Sequence, residues 1–148
     1  MHSSSAGTAP ARVTIDLDAI GANVHALKGF AGNAQVMAVV KGDAYGHGLV
    51  PSAKAALGGG ATWLGVAQLD EAFQLRAAGV QAPVLSWLHA PGVDFDRAVR
   101  EQIDLGVPAI WELEAVAEAA RRVGRTARIQ LKVDTGLARN GAYGADWT

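Results

Sequence analysis

QVMAVVKGDAYGHG, at residues 35–48, is the stretch on which the fold turns. It begins as an aliphatic run without polar alternation, then breaks into glycines, a lysine, an acid, a tyrosine and a histidine. A short apolar run of this kind reads as a buried parallel strand, because both of its faces are covered. The glycine-rich break falls where parallel α/β proteins keep their reactive groups, at the C-terminal end of a strand. Similar runs lie on either side: VTI (13–15), WLGVA (63–67), PVLSW (83–87), DLGVPA (104–109) and ARIQLKV (127–133).

Helical patterns fill the gaps. Asp18 is placed to cap a helix whose apolar stripe is Ile20, Val24 and Leu27. Residues 49–57 are Ala-rich, with Val50, Ala53 and Leu57 on one face, and residues 69–78 run up to Gly79, a good helix stop. Residues 93–100 form a shorter pattern. Residues 112–123 carry acids early and Arg121 and Arg122 late, with Gly124 beyond, an order that suits the helix dipole. The strands recur at roughly the 20–27-residue interval of a βα unit. After a first short strand at 13–15 come five strands and four connecting helices, which implies a parallel sheet with right-handed crossovers. A doubly wound open sheet and a (β/α)8 barrel both satisfy this pattern. No GxGxxG follows the first strand, which counts against a dinucleotide-binding open sheet.

The 148 residues amount to one domain, and 50% of them are apolar against 18% charged, which excludes a disordered chain. A formal net charge of −1 offers no global basic field, so neither nucleic acid nor a membrane is an expected partner. With no cysteine, a disulfide scaffold, a thiolate zinc site and a cysteine nucleophile are excluded. No apolar run approaches the roughly 18 residues of a membrane span. MHSSSAGTAP (1–10) lacks the apolar segment of a secretory signal and reads as a disordered leader, and the absence of cysteine fits a cytoplasmic protein. Thirty alanines and 18 glycines favour helices laid closely on a sheet.

Two strand ends carry unusual residues. At the first, Lys41 directly follows the apolar run. Schiff-base chemistry needs a neutral amine, and a strand-end lysine partly withdrawn from water supplies one. Gly42, Gly46 and Gly48 allow close backbone approach to a ligand, and Tyr45 and His47 add a phenol and an imidazole. At the second, LKVDTGLARNG (131–141), alternation puts Lys132 and Asp134 on one face, and Arg139 follows on a glycine-flanked loop where it could clamp a carboxylate or phenolate. An interior lysine at position 132 is costly unless paired or neutralised. Plain turns with solvated charges are the alternative at both ends. Trp87 sits at a third strand end, where it either packs or lines the pocket of Lys41. Trp63 and Trp111 read as packing residues. His25 and His89 read as isolated and ordinary, with no metal-ligand spacing, and no metal is expected. Glu112, Glu114 and Glu118 read as an outer helix face, and Arg121, Arg122, Arg125 and Arg128 as a solvated helix end.

VVKGDAYGHG resembles the pyridoxal-phosphate lysine motif of alanine racemases, with Gly42 where alanine is usual. LKVDTGLARNG resembles that family's second signature, with Leu137 where methionine is common, and further likeness lies at residues 15–20, 65–79 and 82–92. The resemblance covers nearly all of the chain after the leader. It implies the N-terminal portion of a TIM-type (β/α)8 barrel, about five strands of eight, over residues 11–148, with the family's C-terminal β-domain outside this chain.

Residue by residue, the resemblance implies that Lys41 carries pyridoxal 5'-phosphate and serves as one of two racemisation bases. Tyr45 would bond the cofactor phosphate, while Trp87 is counted with the cofactor-binding residues from its strand-end position alone. Arg139 would meet the cofactor phenolate and the substrate carboxylate, with Lys132 carbamylated to hold it. The implied activity is interconversion of L-alanine and D-alanine, supplying D-alanine for peptidoglycan, in a cytoplasmic homodimer. The second base would be a tyrosine of the partner subunit's C-terminal domain, so the 148 residues alone are expected to be inactive. A non-catalytic pyridoxal-phosphate-binding barrel is the alternative.

Overall fold

A computed structural model describes residues 11–144. The leader expected at 1–10 and the last four residues lie outside the described residues. The elements run α1 (Leu17–Ala31), β1 (Met37–Val39), α2 (Lys41–Gly46), α3 (Leu49–Gly58), β2 (Trp63–Val66), α4 (Leu69–Ala77), β3 (Val84–Ser86), α5 (Phe95–Arg100), β4 (Asp104–Val107), α6 (Ile110–Val123) and β5 (Ile129–Leu131). The five strands form one sheet in the order β1-β2-β3-β4-β5, and every pairing is parallel. Sequential order with a helical crossover at each step is the βα-repeat architecture, and it lacks the order reversal of a doubly wound sheet.

Alternation along the strands separates two faces. Leu64, Val66, Val84 and Leu105 point toward the helices and join Ala53, Leu75, Val99 and Val116 in the buried core. The intervening Gly65 and Gly106 therefore lie on the helix-free face, the inner face of a barrel. Burying an aliphatic side chain of this size stabilises by about 1.5–3 kcal/mol, so this one-sided core is what holds the helices on the sheet.

Four expectations need correction. VTI at 13–15 is not a strand: Val13 is 86% exposed and pairs with nothing among the described residues, since strand propensity needs a neighbouring edge to act on. The cap of α1 is Asp16, whose carboxylate accepts the Ala19 N–H at 2.9 Å, and Asp18 lies inside the first turn. Glu112 is not on an outer face but 1% exposed, because it shares the buried stripe of α6 with Val116 and Ala119 at spacings of four and three. The arginines near the end of α6 are not merely solvated. Arg122 grips Asp96 of α5 with both Nε and Nη2, and Arg128 donates from Nε at 2.7 Å to the buried carboxylate of Asp104. Helix α6 ends as expected at Gly124, which adopts left-handed φ/ψ of 69°/28°.

Candidate active site

Val40 belongs to the helix-side core, and its N–H donates to the Gly65 carbonyl at 2.8 Å, continuing the sheet past β1. Lys41 is the next residue, at the C-terminal end of the strand, where the backbone leaves the extended form, Val40 having a ψ of 20°. The chain then makes one turn of left-handed helix. Gly42, Asp43, Ala44 and Tyr45 all have positive φ, at 62°, 53°, 54° and 58°. Such a turn costs L-residues roughly 1–2 kcal/mol each. Glycine escapes that cost at position 42, and Asp43, Ala44 and Tyr45 bear it.

Hydrogen bonds from several directions hold the turn. The Ala44 N–H reaches back to the Val40 carbonyl at 2.8 Å, and the Gly48 N–H to the Asp43 carbonyl at 2.9 Å. The Asp43 carboxylate accepts the Leu49 N–H at 2.6 Å, anchoring the start of α3. The His47 imidazole meets the Ala44 carbonyl through Nδ1 at 2.7 Å. Glu71 of α4 makes the long-range tie. Its Oε1 accepts the Gly42 N–H at 2.5 Å, while its Oε2 accepts the N–H groups of Ala67 and Gln68 at 3.0 and 3.1 Å. One carboxylate thus locks the lysine turn to the loop after β2. Within the turn, Lys41 Nζ stands 5.8 Å from the centre of the Tyr45 ring, a cation–π distance.

Trp87 follows β3 on the helix-free face, the side of Gly65 and Gly106. A Cβ at Gly65 would sit 2.8 Å from Trp87 Cζ3, and one at Gly106 would sit 2.9 Å from Trp87 Cβ. The two flanking strands therefore have glycine where the tryptophan crosses them. Its neighbours carry an unexpected polar cluster. His89, at the strand end, bonds Glu112 through Nδ1 and the Ser86 hydroxyl through Nε2, the latter at 3.1 Å. The His89 and Glu112 side chains are 0% and 1% exposed, so His89 is neither isolated nor ordinary.

The second lysine sits at an open edge. β5 pairs only with β4 among the described residues, and all three of its residues are exposed. Beyond it, Val133 and Ala142 form a bridge that closes a loop over residues 134–141. Asp134 organises that loop by accepting the N–H groups of Gly136 and Ala138 at 2.9 and 3.0 Å, and these bonds hold its carboxyl below the usual carboxylate range. Lys132 bonds the side-chain oxygen of Asn140. Arg139 is exposed, and among the described residues no direct bond joins it to Lys132, Asp134 or Lys41.

The described structure thus places Lys41 and Tyr45 after β1 and Trp87 after β3, with β2 between them, and leaves Lys132 at the end of β5 and Arg139 on the loop beyond it. Reading by residue type missed Glu71, Ser86, His89 and Glu112. The QLDE run at 68–71 is a capping-box spacing that points to Glu71, and the four-then-three stripe points to Glu112. Nothing local in the sequence pairs His89 with either partner.

A sequentially ordered parallel sheet with a lysine turn at the C-terminal end of its first strand defines the lysine-bearing part of a βα barrel. The description "Alanine racemase, N-terminal domain" matches residues 15–148, and the chain belongs to that family. An alanine racemase from Beutenbergia cavernae is 60% identical over 95% of this chain and 37% of its own length. One from Frankia casuarinae is 61% identical over 90% of this chain and 35% of its own. Among solved structures, alanine racemase from D-cycloserine-producing Streptomyces lavendulae superposes with a TM-score of 0.88 at 55% identity, over 90% of this chain and 35% of that one. The chain therefore spans a little over a third of the length of the relatives it matches.

Proposed function

We propose that this chain supplies the lysine-bearing part of an alanine racemase that interconverts L-alanine and D-alanine with pyridoxal 5'-phosphate. The observation that carries the reading is Lys41, set at the C-terminal end of β1 directly before a left-handed turn whose backbone cost is offset by bonds from two other elements. The residues present suit the cofactor. A primary amine for its aldehyde stands at the C-terminal end of the sheet, as does Trp87, an indole cradled over Gly65 and Gly106 that can lie along a flat ring. When bound, the cofactor supplies an electron sink for the electrons left at the substrate Cα.

The chain's own residues do the rest. Lys41 holds the cofactor and, through Nζ, takes or returns the α-proton on one face of the substrate. Tyr45 binds the cofactor phosphate with its phenol, and Trp87 excludes water from one side. Arg139 orients the substrate carboxylate and the cofactor phenolate with its planar fork. Carbamylation of Lys132 turns a cation into an anion, making it a partner for Arg139 once the loop closes on the finished barrel. A proton carrier on the opposite face is required for racemisation and comes from outside residues 1–148, in a homodimer of the full-length protein. The protein acts in the cytoplasm, where D-alanine feeds peptidoglycan.

The test is borohydride reduction of the full-length protein loaded with pyridoxal phosphate, followed by peptide mapping and chiral chromatography of alanine. The expected result is a pyridoxyl group on Lys41 and equilibration of the two enantiomers. An adduct on Lys28, Lys54 or Lys132 sinks the assignment of Lys41. A bound cofactor without racemisation favours the non-catalytic barrel.

A further inference from the structure

Ser86, His89 and Glu112 come from the end of β3, the loop after it and the first turns of α6, yet they meet in one buried cluster. Ser86 is 0% exposed, and its hydroxyl lies 3.2 Å from the Ala67 carbonyl as well as 3.1 Å from His89 Nε2. The arrangement has the order of a serine–histidine–acid triad, but the serine has no access to solvent. It has no route to a substrate, so nucleophilic chemistry is excluded.

The cluster brackets Trp87. Ser86 precedes it and His89 lies two residues beyond it. The backbone N–H groups of Trp87 and Leu88 both donate to the Ala67 carbonyl, at 3.3 and 2.7 Å. The imidazole is fixed further by Phe95, which meets it edge-on with ring centres 5.5 Å apart. Proton accounting shows that the cluster can be fully satisfied. Nδ1–H donates to the Glu112 carboxylate, Nε2 accepts the Ser86 hydroxyl proton, and the Ala67 carbonyl keeps its two backbone donors. A buried carboxylate without its donor would be costly, so the loop is held to the one path that brings His89 to Glu112.

The geometry points to Ser86, His89 and Glu112 as a positioning network that fixes Trp87 across Gly65 and Gly106 and so sets one wall of the cofactor site. The network acts through Trp87 and touches no reacting atom. Its consequence for the cofactor rests on the racemase reading above, but its hold on Trp87 does not.

The experiment separates the two. In full-length protein labelled with 5-fluorotryptophan, the Trp87 resonance is assigned by its loss in Trp87→Phe. Without cofactor, Glu112→Gln is expected to broaden or split that resonance, and an unchanged line overturns the network. With pyridoxal phosphate, Glu112→Gln is expected to weaken cofactor binding about 10-fold and to reduce the visible circular dichroism of the bound cofactor. In a Trp87→Ala background the same change is expected to have almost no further effect on binding. Equal 10-fold losses in both backgrounds overturn action through Trp87. If the wild-type protein takes up no pyridoxal phosphate, the racemase reading fails and the fluorine resonance still decides the network. Should Glu112→Gln fail to fold, Ser86→Ala removes only the hydroxyl and is read the same way. Restoration of the narrow line by Ser86→Thr then supports the network, and an unchanged line in Ser86→Ala overturns it.

Discussion

The two strand ends that carry lysines are equally distinctive in sequence and differently built in space. At the end of β1, the turn bearing Lys41 is tied to residues far along the chain, with Gly42 bonded to Glu71 and Val40 to Gly65. At the end of β5, the loop bearing Arg139 is organised by neighbours, with Asp134 bonded to Gly136 and Ala138, and Lys132 to Asn140. Both lie on edge strands among the described residues, β1 beside β2 and β5 beside β4, so the difference is the carboxylate that reaches the first from α4. Two motifs can therefore be equally complete in sequence and differently anchored in space.

The largest expected effect breaks the β1 end outright. Lys41→Ala in the full-length protein removes the visible absorbance of bound cofactor and lowers racemisation by at least about 10²–10⁴-fold, the usual contribution of one acid–base group. Absorption spectra and chiral chromatography check it. Retained turnover within a few-fold of wild type would move the reactive lysine elsewhere.

Cutting the long-range tie comes next. Glu71→Ala strips acceptors from three backbone N–H groups, and hydrogen bonds to a charged group contribute about 1.5–3 kcal/mol each. Water recovers part of this, so a loss of about 2–4 kcal/mol is expected in urea unfolding. A loss under about 1 kcal/mol would mean that the turn holds itself and that the contrast with β5 is overdrawn.

A smaller effect sharpens the account of backbone cost. At Gly42, φ is +62° and an added Cβ meets no atom within 4 Å, so Gly42→Ala tests conformation alone. It should destabilise by about 1–2 kcal/mol without changing the cofactor spectrum. A neutral result would show that the turn relaxes when its glycine is replaced.

The smallest effect belongs to the β5 loop. The backbone bonds to Asp134 hold its carboxyl below the usual range, so their stabilising contribution is fully present above that range. It is lost as the pH falls through the lowered native value. The amide resonances of Gly136 and Ala138, followed from about pH 6 down to about pH 2, should shift together with that titration. Asp134→Asn keeps an acceptor oxygen and should abolish the pH dependence. A global unfolding transition at the same pH would show that the loop is more deeply integrated than its local bonds imply.

Much of this protein was legible along the chain. Buried strands announce themselves by short aliphatic runs, and helices by stripes and terminal glycines, because these depend on neighbours a few residues away. The five strands and their connecting helices follow from such signals. VTI at 13–15 had the composition of a strand and no edge to join among the described residues, which composition cannot report. The handedness of the turn after Lys41 was equally hidden. One glycine permits it, but Asp43, Ala44 and Tyr45 would each resist it without bonds from Glu71 and the backbone around them. The pairing of His89 with Glu112 joins residues that are distant along the chain, so only the folded sheet could bring imidazole and carboxylate together. Residue types and spacing determined which groups this protein offers. Tertiary packing decided which of them share a site, because burial, backbone strain and long-range hydrogen bonds exist only when separate strands stand side by side.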